Sequence, residues 1–322
     1  MTPGPPPATL VPIALDAEEA PPPDPAAEPV GFLVTADDGT RIHFQDWGVP
    51  AGAAGLVPAP GVVLVPGLLA AAWTWAPVAR RLAGTRRAVV ADLRGHGLSD
   101  APPDGYDLAT LAADVVLAAD GSGALDGGPV VLAGHGLGGM VAAGAAALLG
   151  ERCGGLVLVD GGWERVEETS GLDVDEFLRG MDEPPEVLRS MEAWLADRRG
   201  FDPASWDADQ ERAARDGVVE TAAGHLLRAV RPHVVGAVVR AMFAYEPAEA
   251  LAAVAAPVTA LVAFATGDAG LRLGELRRTA AARVTAGRGP ISIAGFPSDA
   301  HNLVRYRPAE VAAAILGATE PA

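Results

Sequence analysis

The sequence has no lysine and only one cysteine in 322 residues. All 24 basic residues are therefore arginine, and 41 acidic residues outnumber them, for a formal net charge of −17. Such a balance repels nucleic-acid phosphates and anionic membrane surfaces, so neither is expected as a partner. The lone Cys153 excludes an internal disulfide framework and any multi-cysteine metal site.

The first residues lack the basic start and the apolar stretch of a signal peptide, so we expect a cytoplasmic protein. The uncharged window 127–150 is as long as a membrane span, but it contains eight glycines and divides into strand, turn and helix. Residues 1–29, rich in Pro, Ala and Glu, predict a flexible leader. An alternative is that its apolar patch 10–15 packs onto the protein body.

Short apolar runs separated by helical stretches predict a parallel sheet covered on both faces. A hairpin at 31–47 precedes these runs, which lie at 62–65, 88–91, 130–133, 156–159, 258–263 and 291–294. The interval 162–246 differs, because it is charged, helical in period and without a buried-strand run. It predicts a helical cap inserted between the two core segments, 30–161 and 247–322.

The most informative segment is Gly134-His135-Gly136-Leu137-Gly138. It follows an apolar run and precedes a helix of small residues, the context in which G-x-S-x-G presents a nucleophilic serine on a tight turn. The central residue here is Gly136, which has no side chain and cannot attack a substrate. Three explanations stay open: a different chemistry, a decayed copy of an enzyme, or a deliberate removal of the nucleophile.

Five fragments in this order resemble the α/β-hydrolase family with a helical cap, over about residues 30–318. They are Pro66-Gly67-Leu68, the stretch 92–99, the Gly136 turn, Asp268 and His301. The resemblance implies a mostly parallel eight-stranded sheet with helices on both faces and an inserted cap. It also implies backbone N–H groups of Leu68 and Leu137 as oxyanion donors.

In this resemblance, His301 matches the family's catalytic histidine and Asp268 its acid. A carboxylate on the second ring nitrogen fixes the tautomer and the orientation of such a histidine. Asp160, at the end of a strand run, is the alternative acid, because some relatives place the acid there.

Four further side chains are predicted to shape an apolar pocket between core and cap: Trp73, Trp75, His135 and His233. By contrast, His43 lies on an alternating strand and is expected at a surface or an edge. Asp92 and Arg94 are expected to fix a loop, and the carboxylates around Glu164 to form a solvated helix face. No motif predicts a metal or another cofactor.

These features predict an enzyme that forms no covalent serine intermediate. A His–Asp pair would act as general base on a small apolar substrate, in ring closure, epoxide opening or elimination, and a polyketide-type substrate is one option. The alternatives are a ligand-binding protein without catalytic activity and a hydrolase in which His301 activates water. The oligomeric state is not predicted.

Overall fold

The computed structural model describes residues 9–48, 59–264, 269–297 and 300–318. Its eleven strands are β1 (Leu10–Pro12), β2 (Val30–Thr35), β3 (Arg41–Asp46), β4 (Val62–Val65), β5 (Ala88–Ala91), β6 (Val130–His135), β7 (Cys153–Val159), β8 (Val218–Glu220), β9 (Leu226–Arg228), β10 (Val258–Ala263) and β11 (Ile291–Phe296). Nine of these form one sheet in the order β1-β11-β10-β7-β6-β4-β5-β3-β2. Only β2 and β3 run antiparallel to their neighbours, so the sheet is mostly parallel, as predicted.

The helices are α1 (Ala76–Leu82), α2 (Leu108–Ser122), α3 (Leu137–Leu149), α4 (Val166–Ser170), α5 (Val174–Gly180), α6 (Met191–Phe201), α7 (Ala208–Asp216), α8 (Pro232–Phe243), α9 (Pro247–Ala253), α10 (Ala269–Thr285), α11 (Leu303–Tyr306) and α12 (Pro308–Gly317). No helix in the described ranges is both long and apolar enough to span a bilayer.

The central strands are buried on both faces, which explains their unbroken apolar sequences. In β4, Val63 and Val65 pack into a core with α2 and α3, whereas Val62 and Leu64 pack into a second core with α1 and α12. Successive side chains point to opposite faces of a strand, so one short apolar run supplies both cores. The expected arrangement of helices on both faces of the sheet is confirmed.

The prediction of eight strands was wrong by one. The ninth is β1, which comes from the segment 1–29 that was predicted to be a flexible leader. It pairs in parallel with β11, with Leu10 opposite Ile291 and Pro12 opposite Ile293. The apolar patch adds to an otherwise open sheet edge, because its backbone N–H and C=O groups find partners there. Residues 1–8 lie outside the described residues.

The segment between β7 and α9 folds mainly as short helices, α4 to α8, in the interval predicted as a cap. It also contains the antiparallel hairpin of β8 and β9, with Val218 opposite Arg228. This hairpin was not predicted, because each of its strands has three residues with only one of them buried, which leaves no apolar run to detect.

Candidate active site

The turn between β6 and α3 has the geometry of a nucleophile elbow. Gly136 connects the two elements with φ +55° and ψ −118°, a conformation that favours glycine. A Cβ atom at Gly134 would collide with the backbone of Gly138. The end of β6 and the start of α3 can therefore approach this closely only because residue 134 is glycine. A Cβ placed on Gly136 would lie 3.2 Å from Nε2 of His301. The nucleophile position therefore faces the imidazole.

His301 follows β11 and is oriented by Asp160 at the end of β7. Its Nδ1 donates a hydrogen bond to Asp160 Oδ2 over 2.7 Å, which leaves Nε2 as the acceptor of the neutral ring. The His301 side chain is 63% exposed, whereas Asp160 is completely buried. One carboxylate thus fixes the tautomer of an imidazole that is open to the cavity.

A network of buried groups fixes Asp160 in turn. Its Oδ1 accepts hydrogen bonds from the backbone N–H of Ala263 at 2.8 Å and from Arg272 at 2.9 Å. Burial disfavours the ionised carboxyl, but the hydrogen bond from His301 and the charge of Arg272 hold the pKa of Asp160 below its ordinary value. Asp160 also has a φ of +49°, unusual for a residue with a side chain, and strain of this kind is concentrated at functional sites.

The predicted acid, Asp268, lies outside the described residues. The hydrogen bond from His301 goes to Asp160, which is the alternative that the sequence left open. The geometry therefore favours Asp160 as the carboxylate partner.

Arg272 and Glu164 belong to the same network and were not predicted. Arg272 donates from Nε to Glu164 Oε2 over 2.8 Å, and burial raises the pKa of Glu164. The interpretation of Glu164 as part of a solvated helix face was wrong, because its side chain is only 14% exposed and is ion-paired. No local sequence pattern signals this contact, since 108 positions separate the two residues.

Two backbone N–H groups are available as oxyanion donors at this site. Leu137 is the first residue of α3, where N–H groups have no partner within the helix. Neither its N–H nor that of Leu68 donates to any group among the described residues. Both residues line the same cavity as Gly136 and His301. These are the two donors that the resemblance implied.

His135 packs against the ring of His301. The two rings are 4.6 Å apart between centroids, and His135 Nε2 donates to the backbone carbonyl of His301 over 3.0 Å. Burial lowers the pKa of His135 to about 3, with the nearby His301 as a lesser cause. His135 is therefore neutral at ordinary pH and holds the loop that carries His301.

Residues of the core and of the inserted segment together line a cavity of about 510 Å³. The inserted segment supplies apolar residues, among them Val166, Phe177 and Met242, and the core supplies Trp75 and Met140. The cavity is therefore lined mostly by apolar groups, with a few hydroxyl side chains such as Thr169 and Ser170, and the charged network around Asp160 lies at its His301 end.

Two of the four predicted pocket residues were wrong. Trp73 is buried in the core, where its ring packs against Trp47 at 5.4 Å and under Arg212 at 3.4 Å. His233 lines a different groove and donates from Nε2 to the carbonyl of Pro102 over 3.2 Å. Trp73 and Trp75 are two residues apart in a tight helical turn and face different surroundings, which composition alone does not reveal.

Comparison with known proteins decides the family. A model of the alpha/beta hydrolase family matches residues 62–314, which is most of the chain. The chain belongs to this family. Among curated proteins, it is 38% identical over 107 residues to a non-heme chloroperoxidase of Streptomyces lividans. That match covers 33% of this chain and 35% of the relative, so it spans only about a third of that protein's length.

Solved structures of this alpha/beta hydrolase fold overlap with nearly the whole chain. The structure of E-2-(acetamidomethylene)succinate hydrolase has a TM-score of 0.70 at 20% identity, over 90% of this chain and 98% of that one. The thioesterase domain from the curacin biosynthetic pathway has a TM-score of 0.67 at 21% identity, over 90% and 99%. The structure of an esterase of M. tuberculosis has a TM-score of 0.64 at 20% identity, over 90% of this chain and 91% of that one. At such identities the likeness shows the fold alone.

Proposed function

We propose that this member of the alpha/beta hydrolase family is an enzyme that works by general-base catalysis without a covalent enzyme intermediate. His301 is the base, Asp160 orients it, and the N–H groups of Leu68 and Leu137 stabilise negative charge on oxygen. The observation that carries the proposal is the turn at Gly136. A hydrogen atom occupies the nucleophile position, and Nε2 of His301 lies 3.2 Å from where a Cβ atom on Gly136 would stand, so this acceptor faces the space left by the missing side chain.

The reaction class follows from what these groups can do together. His301 Nε2 takes a proton from a substrate hydroxyl, and the resulting oxygen attacks an electrophilic carbon of the same molecule. The bond from that carbon to its leaving oxygen breaks, and the charge on this oxygen is held by the two N–H groups. The imidazolium then returns the proton to that oxygen. Epoxide opening by an internal hydroxyl and ring closure both fit this balance, and base-assisted elimination requires the same groups.

Asp160 supports the proton transfer in this cycle from the other side of the ring. Its buried carboxylate accepts from Nδ1 of His301 over 2.7 Å, and Arg272 and the backbone N–H of Ala263 hold that carboxylate in place. The carboxylate fixes the tautomer in which Nε2 accepts, and its charge stabilises the positive charge that develops on the ring when Nε2 takes the proton. The apolar walls of the 510 Å³ cavity suit a small apolar substrate that folds on itself before reacting.

A labelling experiment tests the geometry without knowledge of the substrate. We expect a fluorophosphonate to leave the intact mass of the wild-type protein unchanged, because Gly136 offers no oxygen. Gly136→Ser should gain one adduct, since its hydroxyl would lie next to Nε2 of His301. Adding His301→Ala to that variant should abolish the adduct. Stoichiometric labelling of the wild type on the turn would refute the non-covalent mechanism.

Hydrolysis with His301 activating water directly is the second candidate, because the same Nε2 faces a space large enough for a water molecule above Gly136. A panel of hydroxy-epoxides and 4-nitrophenyl esters, run in oxygen-18 water, distinguishes the two. Ring closure incorporates no label into the product, whereas hydrolysis incorporates one labelled oxygen. Binding of panel members without turnover of any would instead support the non-catalytic alternative.

A further inference from the structure

A second cavity, of about 450 Å³, adjoins the one at His301. The two cavities share the lining residues Leu68, Ala70, Thr74 and Asn302, so they meet at the oxyanion turn and at the residue after His301. A substrate held at Nε2 of His301 thus has a second space to extend into. The second cavity differs from the first in chemistry, because aromatic rings and arginines line it.

The aromatic side chains of this second cavity come from three elements of the chain. Trp194 and Phe201 lie on α6, Trp206 follows it, and Tyr306 ends α11 in the core. Phe201 is 70% exposed, an unusual position for a large apolar side chain. Trp194 is held in place by a hydrogen bond from Nε1 to the carbonyl of Ala214 at 2.7 Å. These rings offer flat faces for a planar ligand group.

Three arginines line the same cavity, and they differ in how their charge is balanced. Arg198 and Arg228 both pair with Glu183, at 2.8 and 2.9 Å, and Arg198 also contacts Asp197 at 2.9 Å. Their charges are largely neutralised by these carboxylates. Neither is therefore the principal attraction for an anion.

Arg305 differs from these two because only neutral groups satisfy it. Its Nε donates to the Ser205 hydroxyl over 2.6 Å, and its Nη2 donates to the backbone carbonyl of Asp202 over 2.9 Å. It forms no ion pair with any carboxylate in the described parts of the chain. The guanidinium also lies over the rings of Trp206 and Tyr306, with centroids at 6.0 and 5.6 Å. Among the arginines that line this cavity, Arg305 is therefore the one whose charge no carboxylate of the described residues balances, and this favours an anionic ligand.

We propose that this second cavity binds a planar, carboxylate-bearing arm of the substrate, with Arg305 as the carboxylate-binding residue. The hydrogen bonds to Ser205 and Asp202 hold the guanidinium in place, and Nη1 remains available to the ligand. The planar part of the arm stacks between Trp206 and Phe201. The reacting end then extends past the oxyanion turn to His301. The substrate class is thus an aromatic or conjugated acid, which deepens the proposed function and rests on it for the direction of binding.

Binding of 2-naphthylacetate, measured by calorimetry and compared with its neutral amide, tests this assignment. We expect wild-type protein to bind the acid about tenfold more tightly than the amide, as a hydrogen bond to a charged group implies. Arg305→Gln should remove that preference without changing affinity for the amide. Arg305→Lys should retain part of it, and Trp206→Leu should weaken both ligands. Arg152→Gln removes an exposed arginine on the far side of the core and is the matched control, with no change expected.

Equal binding of acid and amide by the wild type, or no binding of either, would overturn the assignment, and neither result depends on how any variant folds. The same holds if Arg152→Gln loses the preference as fully as Arg305→Gln. Tighter binding of 2-naphthyl phosphate than of the carboxylate would show a phosphate site and contradict it as well. His301→Ala should leave binding of both ligands intact. A failure of the catalytic mechanism, seen in turnover and labelling, is therefore separate from a failure of the subsite.

Discussion

Two histidine–carboxylate pairs in the described part of the chain have the same nitrogen–oxygen distance and different surroundings. In both, Nδ1 of the imidazole lies 2.7 Å from a buried aspartate oxygen: His301 with Asp160, and His43 with Asp92. The side chain of His301 is 63% exposed to the cavity, whereas that of His43 is 8% exposed. Access to a substrate therefore separates the two pairs, and the hydrogen bond itself does not.

The second pair organises a loop of the fold. Asp92 also accepts from the backbone N–H groups of Ala72 and Leu98, at 2.6 and 3.0 Å, which confirms its expected role in fixing a loop. The expectation that His43 lies at a surface or an edge was wrong, because its ring is buried against Asp92 and β3 lies inside the sheet, between β5 and β2. A Cβ on Gly31 would lie 2.8 Å from Nε2 of His43, so the far side of this ring meets the neighbouring strand.

The largest expected effect is on turnover in His301→Ala. Removal of the general base should lower kcat by about two to four orders of magnitude, the usual range for this kind of catalysis. His43→Ala is the matched control and should retain activity per folded molecule. Full activity in His301→Ala, measured on any substrate that the panel identifies, would show that His301 is not the base. The two pairs would then not differ in catalytic role.

The second effect reverses the order and concerns stability. His43→Ala should lower the free energy of unfolding by about 2–3 kcal/mol, because a buried hydrogen bond to a charged partner is lost. His301→Ala should change it by much less, since its ring is mostly exposed. Denaturant unfolding of both variants gives the comparison. An equal loss in the two would mean that exposure does not separate their roles.

Asp160→Asn should reduce turnover by at least about a hundredfold and by no more than the loss of the base itself, because an amide cannot fix the imidazole in the required tautomer. Its side chain stays within reach of Ala263 and Arg272, so we expect the fold to survive. A matched Asp268→Asn variant should have little effect if Asp160 is the acid. A large loss of turnover in Asp268→Asn with little loss in Asp160→Asn would instead identify Asp268 as the acid.

The last effect is a pH dependence of stability that comes from His135. Because burial holds its pKa at about 3 in the folded chain, the unfolded chain binds more protons between about pH 6.5 and 3. Stability should therefore fall as pH drops through this window, and His135→Asn should remove that part of the loss. Unfolding free energies of both proteins at pH 7 and pH 4.5 measure it. A slope unchanged by the substitution would mean that His135 is protonated in the folded state.

The sheet, the tight turn at Gly136 and the candidate base His301 could all be predicted from the sequence alone. Apolar runs such as 130–133 can only be buried strands, and the glycines at 134, 136 and 138 permit a turn that other residues would block. These features depend on neighbours in the chain, so local patterns reveal them. His301 was recognisable for a related reason, because its place after the last strand is fixed by the order of elements.

Which side chains meet depends on the tertiary structure. Asp160 accepts from His301 across 141 positions, and Trp75 rather than Trp73 reaches the cavity. The ninth strand forms because β11 offers an unpaired edge to Leu10–Pro12. This edge exists only in the folded sheet, so the sequence of residues 1–29 does not reveal it. The surroundings of Arg305 likewise arise only because α11 and the turn at 202–205 face one cavity. Each of these outcomes depends on packing between residues that are far apart in the chain. Local sequence patterns do not specify such contacts, so they could not be predicted from them.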